Sequence, residues 1–227
     1  MNIVLAPHID DAIFSCWHAL TTGEAQVYTL FAGIPPAGTT TLWDKLCGTP
    51  DSRQMVQRRR RENDQTFKAL GIKAEYLSFL DNQYRHDNLM PHEIVTAVLE
   101  LSPDNSSYLA PLAGSKIMRH KDHILVREAA LQLITQGRKV AFYPDIPYMY
   151  LPPTSTAKSL DRLTDRMSDI LGISLKLQIH RLDAEQVNAK ANAMRSYGSQ
   201  WSMTNLTSLG WLKIASERHY EITLIPT

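Results

Sequence analysis

Short apolar runs alternate with helical patterns through the first two-thirds of this chain, and that alternation leaves few folds open. Strands are predicted at 2–6, 26–31, 75–79, 108–111 and 139–143. Helices are predicted at roughly 12–21, 52–70, 91–101, 123–135 and 159–171. Repeated strand–helix–strand units require right-handed crossovers and a mostly parallel sheet. The first strands are largely apolar rather than strictly alternating, which suits burial on both faces. Gly71, after Leu70, is placed to cap a helix C-terminus. The expected fold class is α/β, a Rossmann-like three-layer sandwich.

The last third departs from this rhythm. It predicts a strand at 174–179, a helix at 184–196 and a final strand at 220–225. The turn Leu151-Pro152-Pro153 divides a wound α/β core at 1–150 from a C-terminal strand–helix–strand elaboration at 151–227. Both belong to one domain, as suits a chain of 227 residues. The segment from Gly33 to Pro50 is a long loop after a strand, where α/β proteins frame substrate sites.

A net charge of +1 argues against a strongly basic nucleic-acid binder and against an acidic solvating tail. No apolar run approaches the roughly 20 residues needed to span a bilayer. The N-terminus shows neither a charged n-region nor a long apolar h-region, so a cytoplasmic location is expected. Cys16 and Cys47 form no CxxC pair and are expected to be reduced thiols.

The chemistry concentrates in two segments, Ala6-Pro7-His8-Ile9-Asp10-Asp11-Ala12 and Arg119-His120-Lys121-Asp122-His123. The first directly follows a predicted strand, and the second directly precedes a predicted helix. Ligands in open α/β sheets bind at the carboxyl ends of strands. His8, Asp11 and His123 offer two nitrogens and one oxygen, and three protein ligands plus water is the open arrangement of catalytic zinc. Asp10 stands beside a ligand and can take a proton from water. His120, if protonated, can stabilise an oxyanion. Asp122 is placed to orient a histidine from behind or to meet a helix N-terminus.

Two other classes compete. Two histidines and a carboxylate also describe non-haem iron oxygenases, though these need no extra Asp–His pair. A non-catalytic nucleotide-binding module would use the same sheet, but neither GxGxxG nor GxxxxGK[ST] occurs.

These segments resemble the PIG-L/LmbE-like family of N-acetylglucosamine-type deacetylases, with its A-H-P-D-D-E/A and H-x-D-H motifs. The resemblance extends to Arg59-Arg60-Arg61-Glu62 with Leu70-Gly71, to Phe79-Leu80-Asp81-Asn82-Gln83-Tyr84-Arg85, to Tyr143-Pro144-Asp145-Ile146-Pro147-Tyr148, and to Lys190 through Gln200. It implies Zn2+ on His8, Asp11 and His123, with Asp10 as general base and His120 as electrostatic partner. It also implies sugar contacts from Arg59 and Asp81, with Tyr84 in the same segment taken as substrate-binding. The implied substrate is a small acetamido sugar or glycoconjugate, with amidase action on a thiol-sugar conjugate as the alternative. A homo-oligomer is a further implication. Two departures stand out. Ile9 replaces the usual proline, and Trp17 occupies a position expected to be small, with room to reshape the pocket.

Other features carry plainer readings. Four consecutive arginines, Arg58 to Arg61, fan through about 300° on a helix and make no single basic face. Arg59 is expected to point inward as the i,i+3 partner of Glu62. Asp145 is explained by turn chemistry after a strand, and Lys190 is expected to face solvent. Trp43, Trp201 and Trp211 are expected in the core or at its rim.

Overall fold

The structure, a computed structural model, describes every residue except 1, 24, 114–119, 150, 152–154 and 208–209. The proposed boundary prolines Pro152 and Pro153 therefore lie outside the described residues, as does Arg119.

The first crossover units are β1 (Asn2–Ala6), α1 (Asp11–Ser15), α2 (Trp17–Thr22), β2 (Ala25–Thr29), α3 (Leu42–Leu46), α4 (Ser52–Leu70) and β3 (Lys73–Tyr76). They are followed by α5 (Pro91–Leu101), β4 (Ser107–Pro111), α6 (Lys121–Thr135), β5 (Lys139–Tyr143) and α7 (Ala157–Leu171). The chain closes with β6 (Leu175–Arg181), α8 (Ala184–Arg195), α9 (Gly198–Thr207), α10 (Trp211–Ser216) and β7 (Tyr220–Pro226). Among the described residues the sheet has seven strands in the order β3-β2-β1-β4-β5-β7-β6. The first five strands are parallel, and β7 runs antiparallel to both β5 and β6. The C-terminal strands thus extend the sheet of the wound core.

Helices cover both faces. One apolar cluster joins Leu5, Tyr28 and Phe142 of the strands to Ile94 of α5 and Val126 and Leu133 of α6. The other joins Val4 and Val27 to Phe14 of α1, Val56 and Phe67 of α4, and Met194 of α8. Chain order reverses between β1 and β4: β1 leads to β2 on one side, and β4 lies on the other. Crevices open at the strand ends where such a reversal occurs.

Helix α4 begins at the cap Asp51, whose side chain accepts from the Gln54 N–H. It ends at Gly71, with φ at +69°, a left-handed conformation that glycine adopts without steric cost. Its buried stripe runs Ser52, Met55, Val56, Arg59, Asn63, Thr66, Phe67, at helical spacing. Arg59 is buried because it falls on that stripe, while Arg58 and Arg61 are exposed. Arg58, not Arg59, forms the ion pair with Glu62, at 3.3 Å. Glycine is also required at position 33. A Cβ there would lie 2.3 Å from the Ser78 carbonyl oxygen, where the loops after β2 and β3 touch.

The structure differs from the sequence expectation in three places, two of them for tertiary reasons. The helix predicted at 12–21 breaks at Cys16, because the Glu221 carboxylate of β7 accepts from the Trp17 and His18 N–H groups at 3.1 and 2.8 Å. Lys190 does not face solvent; it is fully buried and donates to the same carboxylate. The long loop at 33–50 contains α3, and α9 and α10 were not predicted. Trp17 is buried in the core beside α1. Among the described residues no helix is long and apolar enough to cross a membrane.

Removing one partner of a buried ion pair strands the other charge, at a cost of about 3–5 kcal/mol. Lys190→Met should destabilise the fold by that amount in urea unfolding, and Lys190→Met combined with Glu221→Gln should recover part of it.

Candidate metal centre

The loop after β1 and the start of α6 meet over the β1/β4 reversal. His8 Nδ1, Asp11 Oδ2 and His123 Nε2 lie 3.2 to 3.3 Å from one another. Tetrahedral coordination with bonds of about 2.0–2.1 Å separates donors by about 3.3–3.4 Å. The donor set therefore fits a divalent ion in both chemistry and spacing. All three residues are buried. The Asp11 carboxylate also accepts from the His8 N–H at 2.7 Å, which ties the ligand to its own turn.

A second carboxylate stands behind each histidine. His8 Nε2 lies 3.1 Å from Asp122 Oδ2, and His123 Nδ1 lies 2.9 Å from Asp145 Oδ2. Asp122 is held by the Asn82 N–H at 2.9 Å and by Arg85 at 2.7 Å. Asp145 is held by the Ala113 N–H at 2.8 Å. Such contacts fix the tautomer and ring plane of a ligating imidazole. Asp145 is thus more than a turn residue. Its signal in sequence was only an acid two residues past a strand, and the partner lies 22 positions away.

The electrostatics follow from these contacts. Burial opposes charge on His123, but Asp11 and Asp145 outweigh it and lift the imidazole to about 9. His8 is likewise raised, against burial, by Asp81, Asp11 and Asp122. Asp11 is lowered, against burial, by His123 and His8. Burial works to raise Asp122, yet His8, the Asn82 N–H and Arg85 bring it down to about 2. His120 behaves oppositely. Burial and the charges of His8 and His123 push it down to about 2, so its imidazole is neutral at rest.

These groups open on a cavity of about 340 Å³ lined by His8, Asp10, Asp11, Arg59, Asp81 and His120 among others. Arg59 Nη2 donates to Asp10 Oδ1 at 3.1 Å. This is the inward partner that sequence spacing assigned to Glu62. The His120 ring stands edge-on to His8, 4.5 Å between centroids, and its buried Nδ1 has no hydrogen-bond partner among the described residues. Asp81 accepts from the Gln83 backbone and side chain and lies 3.6 Å from His8 Nε2. Tyr84 does not line the cavity. Its hydroxyl donates to buried Asp44, so it anchors α3 instead of facing a substrate. Trp17 is also absent from the lining, whereas Trp43 of α3 is a wall residue whose Nε1 donates to Gln200 at 3.2 Å. A second cavity, of about 380 Å³ and lined by residues such as His18, Tyr143 and His180, contains none of the site carboxylates.

The PIG-L family, described as GlcNAc-PI de-N-acetylase, matches residues 3–134, and the chain belongs to this family. A curated relative, 2'-N-acetylparomamine deacetylase of Niallia circulans, is 29% identical over 181 residues. That match covers 63% of this chain and 66% of the relative, just under two thirds of its length. The fold is shared with the zinc-inhibited form of teicoplanin deacetylase Orf2, at TM-score 0.71 and 20% identity, covering 99% of this chain and 97% of that one. It is also shared with the N,N'-diacetylchitobiose deacetylase of Pyrococcus horikoshii, at TM-score 0.59 and 14% identity, covering 99% and 83%.

Two outcomes are expected. Asp145→Asn should weaken metal affinity about 10- to 100-fold in chelator competition, because His123 loses its orienting carboxylate. In wild-type protein a metal must displace the protons that His8 and His123 hold. Affinity should therefore climb with pH through about 9, where His123 gives up its proton, and flatten once His8, also raised, is neutral as well. Titration calorimetry in buffers of different ionisation enthalpy will show proton release below that pH.

Proposed function

We propose that this chain is a zinc-dependent hydrolase that removes the N-acetyl group from an N-acetylglucosamine-type sugar or glycoconjugate. The observation that carries the reading is the meeting of His8 Nδ1, Asp11 Oδ2 and His123 Nε2 within 3.3 Å beside Asp10 and His120. Family membership and the deacetylase relative support it. Two nitrogens and a carboxylate also suit iron(II). The adjoining Asp10 and His120 favour hydrolysis, which needs a proton acceptor for the water and a hydrogen-bond donor for the developing oxyanion.

When bound, a divalent ion supplies Lewis acidity, acidifying water and polarising a carbonyl. Asp10 takes the proton of the attacking water. The Arg59 guanidinium, which burial disfavours but Asp10 and Asp81 keep firmly charged, fixes that carboxylate in place. His120 begins neutral, so it donates an N–H hydrogen bond to the substrate oxygen. The departing amine receives the proton collected by Asp10. Asp81 and Arg59 lie where sugar hydroxyls would be read, and Trp43 supplies an aromatic wall.

The lining bears on the substrate. At about 340 Å³ the cavity lies near the low end of the usual range of about 300–1,000 Å³, which favours a small glycan over a bulky acceptor fully enclosed. Among the described lining residues Arg59 is the one side chain of Lys or Arg type, and it is already paired with Asp10. That favours an acetamido sugar with no phosphate near the scissile amide. Free Cys16 and Cys47 fit a reducing cytoplasmic compartment.

Metal analysis should find zinc, and acetate release should occur from a panel of acetamido sugars and be abolished by chelation. A thiol-sugar conjugate in the panel tests the amidase alternative. Asp10→Asn should retain zinc and lose about 10²- to 10⁴-fold in kcat. Unchanged turnover rejects Asp10 as the base.

A further inference from the structure

Helix α3 inverts the usual arrangement of a surface helix, which turns its apolar side to the core. It buries Asp44, which accepts from the Tyr84 hydroxyl at 2.9 Å, and it leaves Leu42 and Leu46 74% and 52% exposed. These two leucines are four residues apart and share one side of the helix, next to Trp43, which lines the cavity beside His8 and Asp11. A second wall repeats the pattern. Helix α9 lines the cavity with Gln200, Thr204 and Thr207, one face at helical spacing, and Leu206 beside them is 69% exposed. The Trp43 indole donates to Gln200 at 3.2 Å, so the two helices are bonded to each other at the cavity.

A leucine exposed by itself needs no explanation. Here the two most exposed large apolar side chains among the described residues, Leu42 and Leu206, stand on the two helices that Trp43 and Gln200 join. Charge is scarce around them. The ten residues of α9 include no Asp, Glu, Lys or Arg, and Lys45 is the one exposed charge of α3. The charged groups of the cavity, Asp10, Arg59 and Asp81, are buried inside it. A space of about 340 Å³ suits one sugar ring, so whatever that sugar carries emerges at the lip where these leucines stand.

We propose that Leu42, Leu46 and Leu206 bind an apolar aglycone, alkyl or aryl, carried by the acetamido sugar whose amide enters the cavity. This narrows the substrate class and rests on the deacetylase reading above. The aglycone lies outside the cavity and takes no part in breaking the amide. It contributes apolar area removed from water, equally in ground and transition states, so it lowers KM and leaves kcat unchanged. A fully buried methylene is worth about fourfold in affinity. With about two of the extra methylenes of a hexyl glycoside covered, KM falls about tenfold relative to the methyl glycoside. A cationic aminocyclitol gains nothing from a lip whose one exposed charge in α3 and α9 is Lys45.

The test measures kcat and KM for acetate release from methyl, hexyl and aminocyclitol glycosides of N-acetylglucosamine. It compares wild-type zinc-loaded protein with the double variant Leu42→Ser, Leu206→Ser, whose fold is checked by thermal melting. If the double variant melts early, Leu46→Ser is read in its place. A hexyl KM about tenfold below the methyl KM at equal kcat, with the ratio falling to about one in the variant, supports the proposal. Equal KM values in wild-type protein overturn it. A ratio that persists in the variant also overturns it, because the alkyl chain then binds elsewhere. So does an aminocyclitol glycoside with a lower KM than the hexyl one. Sedimentation of wild-type protein with phosphatidylcholine vesicles, lost in the variant and without any aglycone preference, assigns the leucines to a lipid surface and overturns it too. These failures leave acetate release intact. Wild-type protein that releases no acetate from any glycoside overturns the deacetylase reading itself, and this proposal with it.

Discussion

The structure turns on three donor atoms, contributed from two sides of a chain reversal, that meet within 3.3 Å in a buried pocket. Nothing in the local backbone forces this. His8 and Asp11 belong to the turn that ends β1, and His123 to the first turn of α6, which follows β4. They meet because β1 and β4 are hydrogen-bonded neighbours, running in the same direction, at the one place where consecutive crossovers leave on opposite sides. The crevice there is a property of sheet topology. The fold builds the opening, and the side chains give it chemistry.

A cluster of buried carboxylates would be costly if left alone. Here each acid has a counterpart. Asp11 and Asp145 face His123, Asp122 faces His8 and Arg85, and Asp10 faces Arg59. The acids favour positive charge on His8 and His123 and so raise both imidazoles, a partial neutralisation of the cluster. A divalent cation would perform the same neutralisation. The site is therefore electrostatically ready for a cation, and proton and metal compete for the same nitrogens.

The same logic explains features far from the cavity. Glu221 of the last strand caps α2 through two backbone N–H groups, and buried Lys190 from α8 compensates its charge. This pair joins the C-terminal elements to the helices that directly follow the His8–Asp11 turn. Likewise Tyr84 and Asp44 fasten α3, which brings Trp43 to the cavity wall. The C-terminal segment contributes Gln200 to that wall, so the site depends on residues from both portions of the chain.

Much of this was legible from residues alone. The strand–helix alternation determined the sheet, because only a parallel arrangement lets each crossover bury its apolar face. The helices 52–70 and 91–101 had clear ends, marked by Gly71 in one case and Pro91 in the other. The His8, Asp11 and His123 set could be named because donors of those types followed or preceded strand ends. What stayed hidden were partners chosen by distance in space. Arg59 was picked out as inward, but for Glu62 and not for Asp10, since sequence spacing sees only one helix. Asp145 resembled an ordinary turn acid, Lys190 an ordinary surface lysine, and Tyr84 a substrate contact. Burial and pairing for these depend on strands and helices tens of residues away. Sequence determined which groups were present and in which layer. Only tertiary packing decided which charges would face each other, because Coulomb and hydrogen-bond partners are set by proximity, and proximity across a sheet carries no local signature.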